Sequence, residues 1–335
     1  MNEDFSKLLS PFQFPVSGIQ VDNRIVMAPM TTFSGNEDGT VSDDELSYYK
    51  ERNRGAGLLI SACAYVTPQG KAFPGQFSAY SDDMLPSLKR LAAALKENGG
   101  KAVLQIHHGG RMCPPELVPG GEPLSASAVA PVREGAVTPR EMTELEIEET
   151  IAAYGEAARR AVEAGFDGVE IHGANTYLIQ QFFSPHSNRR TDKWGGSLEK
   201  RMTFPLAVVD AVKAAVKKAS DRPFIIGYRI SPEELENPGI TMNDTLAFAA
   251  MKEIKEQGLR IPQDVALIGY TDELHSNYVE PALTAITHQT YEMGVASCNL
   301  LLQHLQKNQS PKKVVVPTRL IVRGSSVKSP FSKIE

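Results

Sequence analysis

The sequence predicts an α/β fold, and within that class a TIM-type (β/α)8 barrel. Short apolar runs alternate with stretches of helical periodicity, a pattern typical of parallel strands that are buried on both faces. The connections between the runs are long enough to cross over a parallel sheet. The runs number eight, and the 335-residue chain exceeds the ~250 residues that a barrel of eight strand–helix units typically needs.

Eight strands are predicted along the chain. The first five are Arg24–Pro29, Gly57–Val66, Ala102–His107, Gly168–His172 and Phe224–Ile230. The last three are Asp264–Tyr270, Leu283–Thr287 and Val314–Arg323, the last of which is interrupted by Pro317. Each run is short and apolar, as expected of a buried strand in a parallel sheet.

Helices are predicted between these strands. The clearest is Thr143–Ala164, because Thr143 and Glu146 form a capping box at its start and Gly165 ends it. Ser197 could cap a further helix, although Lys200 stands where a capping box would have Glu. The other predicted helices are Asp83–Asn98, Ser197–Lys218, Leu246–Gln257 and Tyr291–Gln306. The long segment Gly109–Arg140, rich in Pro and Gly, is predicted to form a lid or a short hairpin.

Composition excludes several classes of protein. The net charge of −5 argues against a nucleic-acid-binding surface, and no apolar stretch approaches the ~20 residues that span a bilayer. The N-terminus lacks a basic stretch followed by an apolar run, so no signal peptide is predicted. The three cysteines are widely spaced and odd in number, which favours a reducing cytoplasm, and no spacing resembles a metal site. A small-molecule partner is expected, and the oligomeric state is left open.

Polar side chains follow the predicted strands at their carboxyl ends, where a parallel barrel places its active site. Gln105 can both donate and accept, which matches the polar edge of a flat heterocycle, and Arg229 can stabilise an anionic reduced ring. His172 and Asn175 could bind a carbonyl oxygen while Tyr177 supplies a proton. Singly, such a His is more often structural and such a Tyr more often packing; their shared placement favours function.

Three motifs resemble the old yellow enzyme family of FMN-dependent oxidoreductases over residues 12–245. They are NRIVMAPMTT at Asn23–Thr32, LQIHHGGR at Leu104–Arg111 and GFDGVEIHGANTYLIQQFFSPHSNRRTDKWGGSLEKR at Gly165–Arg201, supported by RISPEE at Arg229–Glu234. The resemblance implies that NAD(P)H reduces bound FMN, which then passes hydride to an electron-poor alkene. It therefore implies an FMN-dependent ene-reductase.

The resemblance also implies roles by position. The residues that would line the flavin ring or its polar edge are Pro29, Met30, Thr31, Gln105 and Arg229, and those that would bind and protonate substrate are His172, Asn175 and Tyr177. Two departures stand out, because Thr31 replaces a redox-tuning cysteine of some members and Phe33 replaces a substrate-facing tyrosine. Cys63 occupies the position of a small residue near the ring, where it could equally be a small core residue.

The remaining chain resembles a different family. Residues 243–326 are similar to the ligand-binding domain of the lactose-repressor family, a periplasmic-binding-protein fold, through NDTLAFAAMKEIKEQGLRIPQDVALIGYTDE, EPALTAITHQTYEMGVASCNLLLQHL and PTRLIVRGSS. In that family Asp244 and Asp272 fall where polar residues meet a sugar-like effector, although a helix N-cap for Asp244 and a loop turn for Asp272 are strong explanations without a ligand. The sequence shows no helix-turn-helix, so gene regulation is not expected.

A hybrid chain is the interpretation that follows. Residues 1–245 would form a partial flavin-oxidoreductase barrel, and residues 246–335 would complete it with three repressor-type strands. The family's glycine-rich phosphate-binding turn is missing, and Arg323, Gly324, Ser325 and Ser326 are the candidates to replace it. Two alternatives stay open: a structural or ligand-binding protein without catalysis, and a two-domain chain with an incomplete barrel beside a repressor-like lobe.

Overall fold

The structure, a computed structural model, describes residues 6–241, 268–270, 284–287, 295–296, 316 and 319–323. The chain divides into two units, Met1–Ser231 and Pro232–Glu335. Among the described residues, the α-helices are α1 (Ser6–Leu9), α2 (Asp43–Arg52), α3 (Leu85–Lys96), α4 (Glu144–Ala164), α5 (Leu178–Phe183) and α6 (Leu198–Ala219). The described strands are β1 (Phe12–Gln13), β2 (Gln20–Val21), β3 (Val26–Met27), β4 (Leu58–Tyr65), β5 (Lys101–His107), β6 (Leu124–Ser125), β7 (Arg140–Glu141), β8 (Gly168–Gly173), β9 (Ile225–Ile230), β10 (Ile268–Tyr270), β11 (Thr284–Thr287) and β12 (Arg319–Ile321).

A five-stranded parallel sheet in the order β3-β4-β5-β8-β9 forms the centre of the first unit. It confirms the first five predicted strands and their common direction. The pairing of β4 with β5 shifts between Ile60 and Cys63, where one extra residue in β4 brings Cys63 opposite Gln105. The shift matters because both side chains line the same cavity.

Apolar side chains are buried on both faces of this sheet. All eight residues of β4 are buried, and helix α3 buries Leu88, Leu91 and Leu95 in the larger core cluster. Each such leucine contributes about 1.5–3 kcal/mol relative to an exposed one. A smaller apolar cluster lies at the amino ends of the strands. The β1–β2 hairpin covers it with Phe12, Phe14 and Ile19. The carboxyl ends are thereby left for the site.

The caps predicted for the long helices are present. Thr143 accepts from the amide of Glu146, whose side chain returns to the Thr143 amide, and Gly165 ends α4 in the left-handed conformation. Ser197 caps α6 by accepting from the Lys200 amide, without the second half of a capping box. Both helices therefore begin where the sequence predicts.

Two local predictions need correction. Helix α2 was not expected because its sequence, DDELSYYKER, is largely polar, although Ser42 and Glu45 show the Ser-x-x-Glu signature of a helix start. The segment 109–140 is not a hairpin, because β6 and β7 pair in parallel rather than antiparallel. Three short 3-10 turns precede β6 in that segment, at Gly110–Met112, Pro115–Leu117 and Pro119–Gly121.

The second unit contains a three-stranded sheet in the order β10-β11-β12. These strands coincide with the last three predicted ones, but β12 is antiparallel to β11. A (β/α)8 barrel has parallel strands only, so the described strands of this unit do not reproduce the expected continuation of one barrel. The physical reason is that an apolar run predicts a strand but not its direction. The proposed roles of Asp244, Asp272, Gly324, Ser325 and Ser326, and the helices expected at 246–257 and over most of 291–306, fall outside the described residues.

Within the described ranges, no helix combines the length and apolar character needed to cross a membrane.

Candidate active site

One cavity at the carboxyl ends of the five parallel strands collects most of the predicted site residues. Its volume is about 100 Å³, below the ~300–1,000 Å³ that is typical of small-molecule sites. The lining residues are Pro29, Thr31, Cys63, Gln105, His172, Asn175, Tyr177 and Arg229. Among the residues expected to contact the flavin ring or the substrate, Met30 is the one outside this set, and it is 61% exposed.

A buried carboxylate organises the polar edge of the cavity. Register places Glu170 of β8 opposite Gln105 of β5 and opposite Gly227 of β9, two residue pairs before Arg229. Gln105 Nε2 donates to Glu170 Oε2 at 2.6 Å, and Arg229 donates to both carboxylate oxygens at 2.9 and 3.0 Å. This arrangement holds the Arg229 guanidinium in place and leaves Gln105 Oε1 as an acceptor for a group in the cavity.

His172 is a neutral histidine at the end of β8. Burial, together with the nearby Arg229 charge, lowers its pKa to about 3. Its Nδ1 is buried and has no hydrogen-bond partner in the part of the chain that the structure describes. A neutral ring in this place can bind a polar group without bringing a charge into the cavity.

The turn after β8 has a strained backbone. Asn175 and Thr176 adopt φ angles of 57° and 64°, in the left-handed region that a β-branched residue such as Thr rarely enters. The Asn175 amide donates to Ser231 Oγ at 3.0 Å, and the Thr176 amide donates to Gln180 Oε1 at 2.8 Å. These bonds hold the turn that presents the Asn175 side chain to the cavity.

Tyr177 is the N-cap residue of α5, and its ring packs against other aromatic rings. Its ring centroid is 4.4 Å from that of His107, 5.0 Å from that of His172 and 6.1 Å from that of Phe73. Burial is the main cause that raises the pKa of its phenol above the ordinary value. The hydroxyl therefore stays protonated at neutral pH.

Cys63 is a buried thiol rather than a reactive one. Burial raises its pKa to about 11, and Sγ lies 3.7 Å from Thr31 Oγ1 and 3.4 Å from Gln76 Nε2. A thiol this weakly acidic is protonated at neutral pH and is a poor nucleophile. Its place in the lining is compatible with both interpretations left open by the sequence.

Three buried polar residues at this site were not identified from the sequence: Gln76, His107 and Glu170. His107 follows Gln105 by two positions in a strand and therefore shares its face, a period-two signal that could have identified it. Glu170 is an acid inside the apolar run GVEIH, which is a second such signal. Gln76 gives no comparable local signal.

A family model described as the NADH:flavin oxidoreductase / NADH oxidase family matches residues 7–293. The chain is 54% identical over 245 residues to a probable NADH-dependent flavin oxidoreductase, YqiG, of Bacillus subtilis, covering 73% of this chain and 65% of that protein. It is 41% identical over 322 residues to an NADPH dehydrogenase of Geobacillus sp. (strain WCH70), covering 94% of this chain and 90% of that one.

One solved structure is also similar to this chain. Morphinone reductase matches with a TM-score of 0.64 and 30% identity, covering 81% of this chain and 74% of that one. The chain spans only 23% to 65% of the lengths of the three relatives to which it is 50–54% identical. Those relatives therefore contain more chain than the sequence described here.

Proposed function

Because the chain belongs to the NADH:flavin oxidoreductase / NADH oxidase family, we propose that it reduces electron-poor alkenes with hydride from NAD(P)H. Membership supports the predicted enzyme class, a flavin oxidoreductase of the old yellow enzyme type, and the predicted cofactors, FMN with NAD(P)H as reductant. The observation that carries the proposal for the alkene is the convergence of eight predicted site residues on one cavity.

The residues present fit a flavin ring. Gln105 Oε1 and the Arg229 guanidinium form a polar edge with one acceptor and a cation, which matches a ring edge that carries both carbonyl and N–H groups. Pro29, Thr31 and Cys63 contribute uncharged surface beside it. When bound, FMN supplies the hydride, and Arg229 favours the negative charge of a reduced ring.

His172, Asn175 and Tyr177 are proposed to act on the substrate. The neutral His172 ring and the Asn175 amide would donate hydrogen bonds to the oxygen of the activating group, which draws electrons from the alkene. Tyr177 would donate its proton to the alkene carbon next to that group, because its raised pKa keeps the phenol protonated. The ring contacts to His107 and His172 orient Tyr177 for this step.

Visible spectroscopy tests the proposal directly. The purified chain, mixed with FMN and passed through a desalting column, should retain flavin absorbance and lose it on adding NADH or NADPH without oxygen. Arg229→Leu is the matched variant, since it removes the cation but keeps an apolar side chain of similar reach, and it should retain less flavin. Absence of retained flavin in the parent would contradict cofactor binding by this chain.

The hybrid origin is a further part of the proposal. We propose that residues 246–335 derive from a repressor-type ligand-binding domain, as their sequence indicates. In support, the relatives at 50–54% identity match only 69–73% of this chain, although the family model extends to residue 293 and the NADPH dehydrogenase matches 94% of the chain. The phosphate of FMN would then need a replacement anchor, for which Arg323 and the glycine and serines after it remain the candidates.

The alternative, a ligand-binding protein without catalysis, is favoured only by that same C-terminal sequence. Titration calorimetry with monosaccharides and purines tests it. No heat of binding is expected, because the part of the repressor cleft that precedes residue 243 is missing from the sequence. A saturable signal with a sugar would support the alternative instead.

A further inference from the structure

The carboxylate of Glu170 lies behind the polar edge of the cavity and does not line it. Its two hydrogen-bonding partners, Gln105 and Arg229, both line the cavity. Gln105 and Arg229 belong to the strands on either side of β8, so the carboxylate joins three neighbouring strands. Any effect of Glu170 on a bound ring therefore passes through these two side chains or through its charge.

The carboxylate fixes what each partner presents to the cavity. An ionised carboxylate only accepts hydrogen bonds, so Gln105 must turn Nε2 towards it, which leaves Gln105 Oε1 as the acceptor on the cavity side. Arg229 donates from Nε to one carboxylate oxygen and from Nη2 to the other, at 2.9 and 3.0 Å. This two-point contact restricts the guanidinium to one orientation.

The charge of Glu170 opposes the one formal charge of the cavity lining. Of the side chains that line the cavity, Arg229 alone is charged at neutral pH, because burial keeps His172 neutral and keeps Tyr177 and Cys63 protonated. The Glu170 side chain is only 11% exposed, so water and salt screen its charge little. A ring in the cavity would therefore meet an ion pair, whose field is weaker than that of an unopposed cation.

We propose that Glu170 is a positioning residue that lowers the reduction potential of bound FMN. This role rests on the proposed function and concerns the electrostatic control of the same site. Reduction adds two electrons and one proton to a neutral ring, so the reduced ring carries a negative charge. Arg229 stabilises that charge and Glu170 opposes it. The carboxylate thus holds the cation in place while keeping the reduced ring a stronger hydride donor.

The midpoint potential of the FMN-loaded protein tests this role, and anaerobic equilibration with a reference dye measures it. Glu170→Gln keeps the length of the side chain and one oxygen acceptor for Arg229 but removes the charge. It should favour binding of reduced over oxidised FMN about tenfold more than the parent does, which raises the potential by about 30 mV for a two-electron couple. The Arg229 side chain is 34% exposed, so water can solvate its charge in this variant.

A second variant distinguishes the charge of Glu170 from its hydrogen bonds. Glu170→Asp keeps the charge but is one methylene shorter, so its potential should not rise above that of the parent. If Glu170 only held Arg229 in place, both variants would move the cation away from the ring and lower the potential. A potential in Glu170→Gln that is equal to or below that of the parent would overturn the proposal.

The matched control is Glu149→Gln. Glu149 is exposed on α4, so this variant removes the same charge at a distance from the cavity and should leave the potential unchanged. An equal rise in Glu149→Gln and Glu170→Gln would assign the effect to net charge and would also contradict the role of Glu170.

Fluorescence titration with oxidised FMN separates this role from the proposed function. A parent that binds no FMN, or that binds it and reduces no alkene, contradicts the proposed function; in the second case the potentials still test Glu170. A Glu170→Gln protein that is folded by thermal unfolding but binds no FMN would show a structural role and contradict the inference. If Glu170→Gln does not fold, Glu170→Asp decides, since a potential above that of the parent would overturn the role of the charge.

Discussion

At the residue scale, burial and hydrogen bonding decide which form each ionisable side chain of the cavity takes. His172 and His107 are neutral because burial lowers the pKa of each ring. Tyr177 and Cys63 are protonated because burial raises the pKa of each group. The charges that remain at the cavity edge are those of Arg229 and Glu170, which neutralise each other. The site is therefore built to donate hydrogen bonds rather than to carry free charge.

Replacing Tyr177 by Phe should remove the proposed proton donor. General acids contribute about 10²–10⁴-fold to turnover, so reduction of a cyclic enone should fall about a hundredfold or more. Oxidation of NAD(P)H with oxygen as acceptor should change little, since it needs no proton on an alkene carbon. Tyr80→Phe is the matched control, because Tyr80 stacks on Tyr65 and does not line the cavity. Unchanged enone turnover in Tyr177→Phe would rule out this role.

Replacing Thr176 by Gly should stabilise the protein. Thr176 has a φ of 64°, which costs an L-residue roughly 1–2 kcal/mol and costs glycine nothing. Part of that gain is offset by the greater freedom of glycine in the unfolded chain, so we expect a net gain of about 0.5–1 kcal/mol. Urea denaturation measures it, with Thr203→Gly in the second turn of α6 as a control that should destabilise. Loss of stability in Thr176→Gly would show that the turn is not strained.

At the element scale, Glu146 stabilises the start of α4 in two ways, because it belongs to the capping box and also forms an ion pair with Arg140. Arg140 Nη2 lies 2.6 Å from Glu146 Oε1, and the Thr143 amide donates to Glu146 Oε2 at 2.8 Å. The bond to Arg140 is the first cause that lowers the pKa of Glu146 from its ordinary value of 4.5 to about 2. The cap thus connects the end of the 109–140 segment to the helix.

The stability that Glu146 contributes should depend on pH. Its pKa is depressed in the folded state, so the contribution is present above pH 4.5 and is lost as the pH falls towards 2. Glu146→Gln keeps the shape of the cap but not the charge, and it should cost at most about 1 kcal/mol at pH 7, because the pair is partly exposed. Urea denaturation at pH 7 and pH 3 should show that cost shrinking. A cost independent of pH would assign it to the cap instead.

At the scale of the whole molecule, the division of the chain into two units predicts that each unit can unfold separately. The first unit ends at Ser231 and the second begins at Pro232. We expect limited proteolysis to cut first between residues 232 and 250 and to leave a fragment that contains the five-stranded sheet and the cavity. Mass spectrometry identifies the cut. Resistance throughout that segment would favour one barrel to which both units contribute strands.

The fold and the site were predictable to different depths. The five parallel strands and helices α3, α4 and α6 follow from local apolar periodicity and from caps such as Thr143 and Ser197, which act over three or four residues. Helix α2 escaped because its sequence is largely polar, with Leu46 and Tyr49 as the apolar residues that it buries. The antiparallel direction of β12 relative to β11 was not predicted, because the direction of a strand depends on the strands that pair with it and not on its own sequence.

The sequence by itself determined which residues stand at the strand ends, since strand periodicity and family motifs are both local. Only the tertiary structure decided how they are paired. Glu170 reaches Arg229 across 59 residues, and Gln76 reaches His107 across 31. Such pairings depend on the register between strands and on the path of a loop, and no local pattern encodes either. Because hydrogen bonds select tautomers and hold charges, the tertiary structure also decided which atoms of these side chains can donate and which can accept.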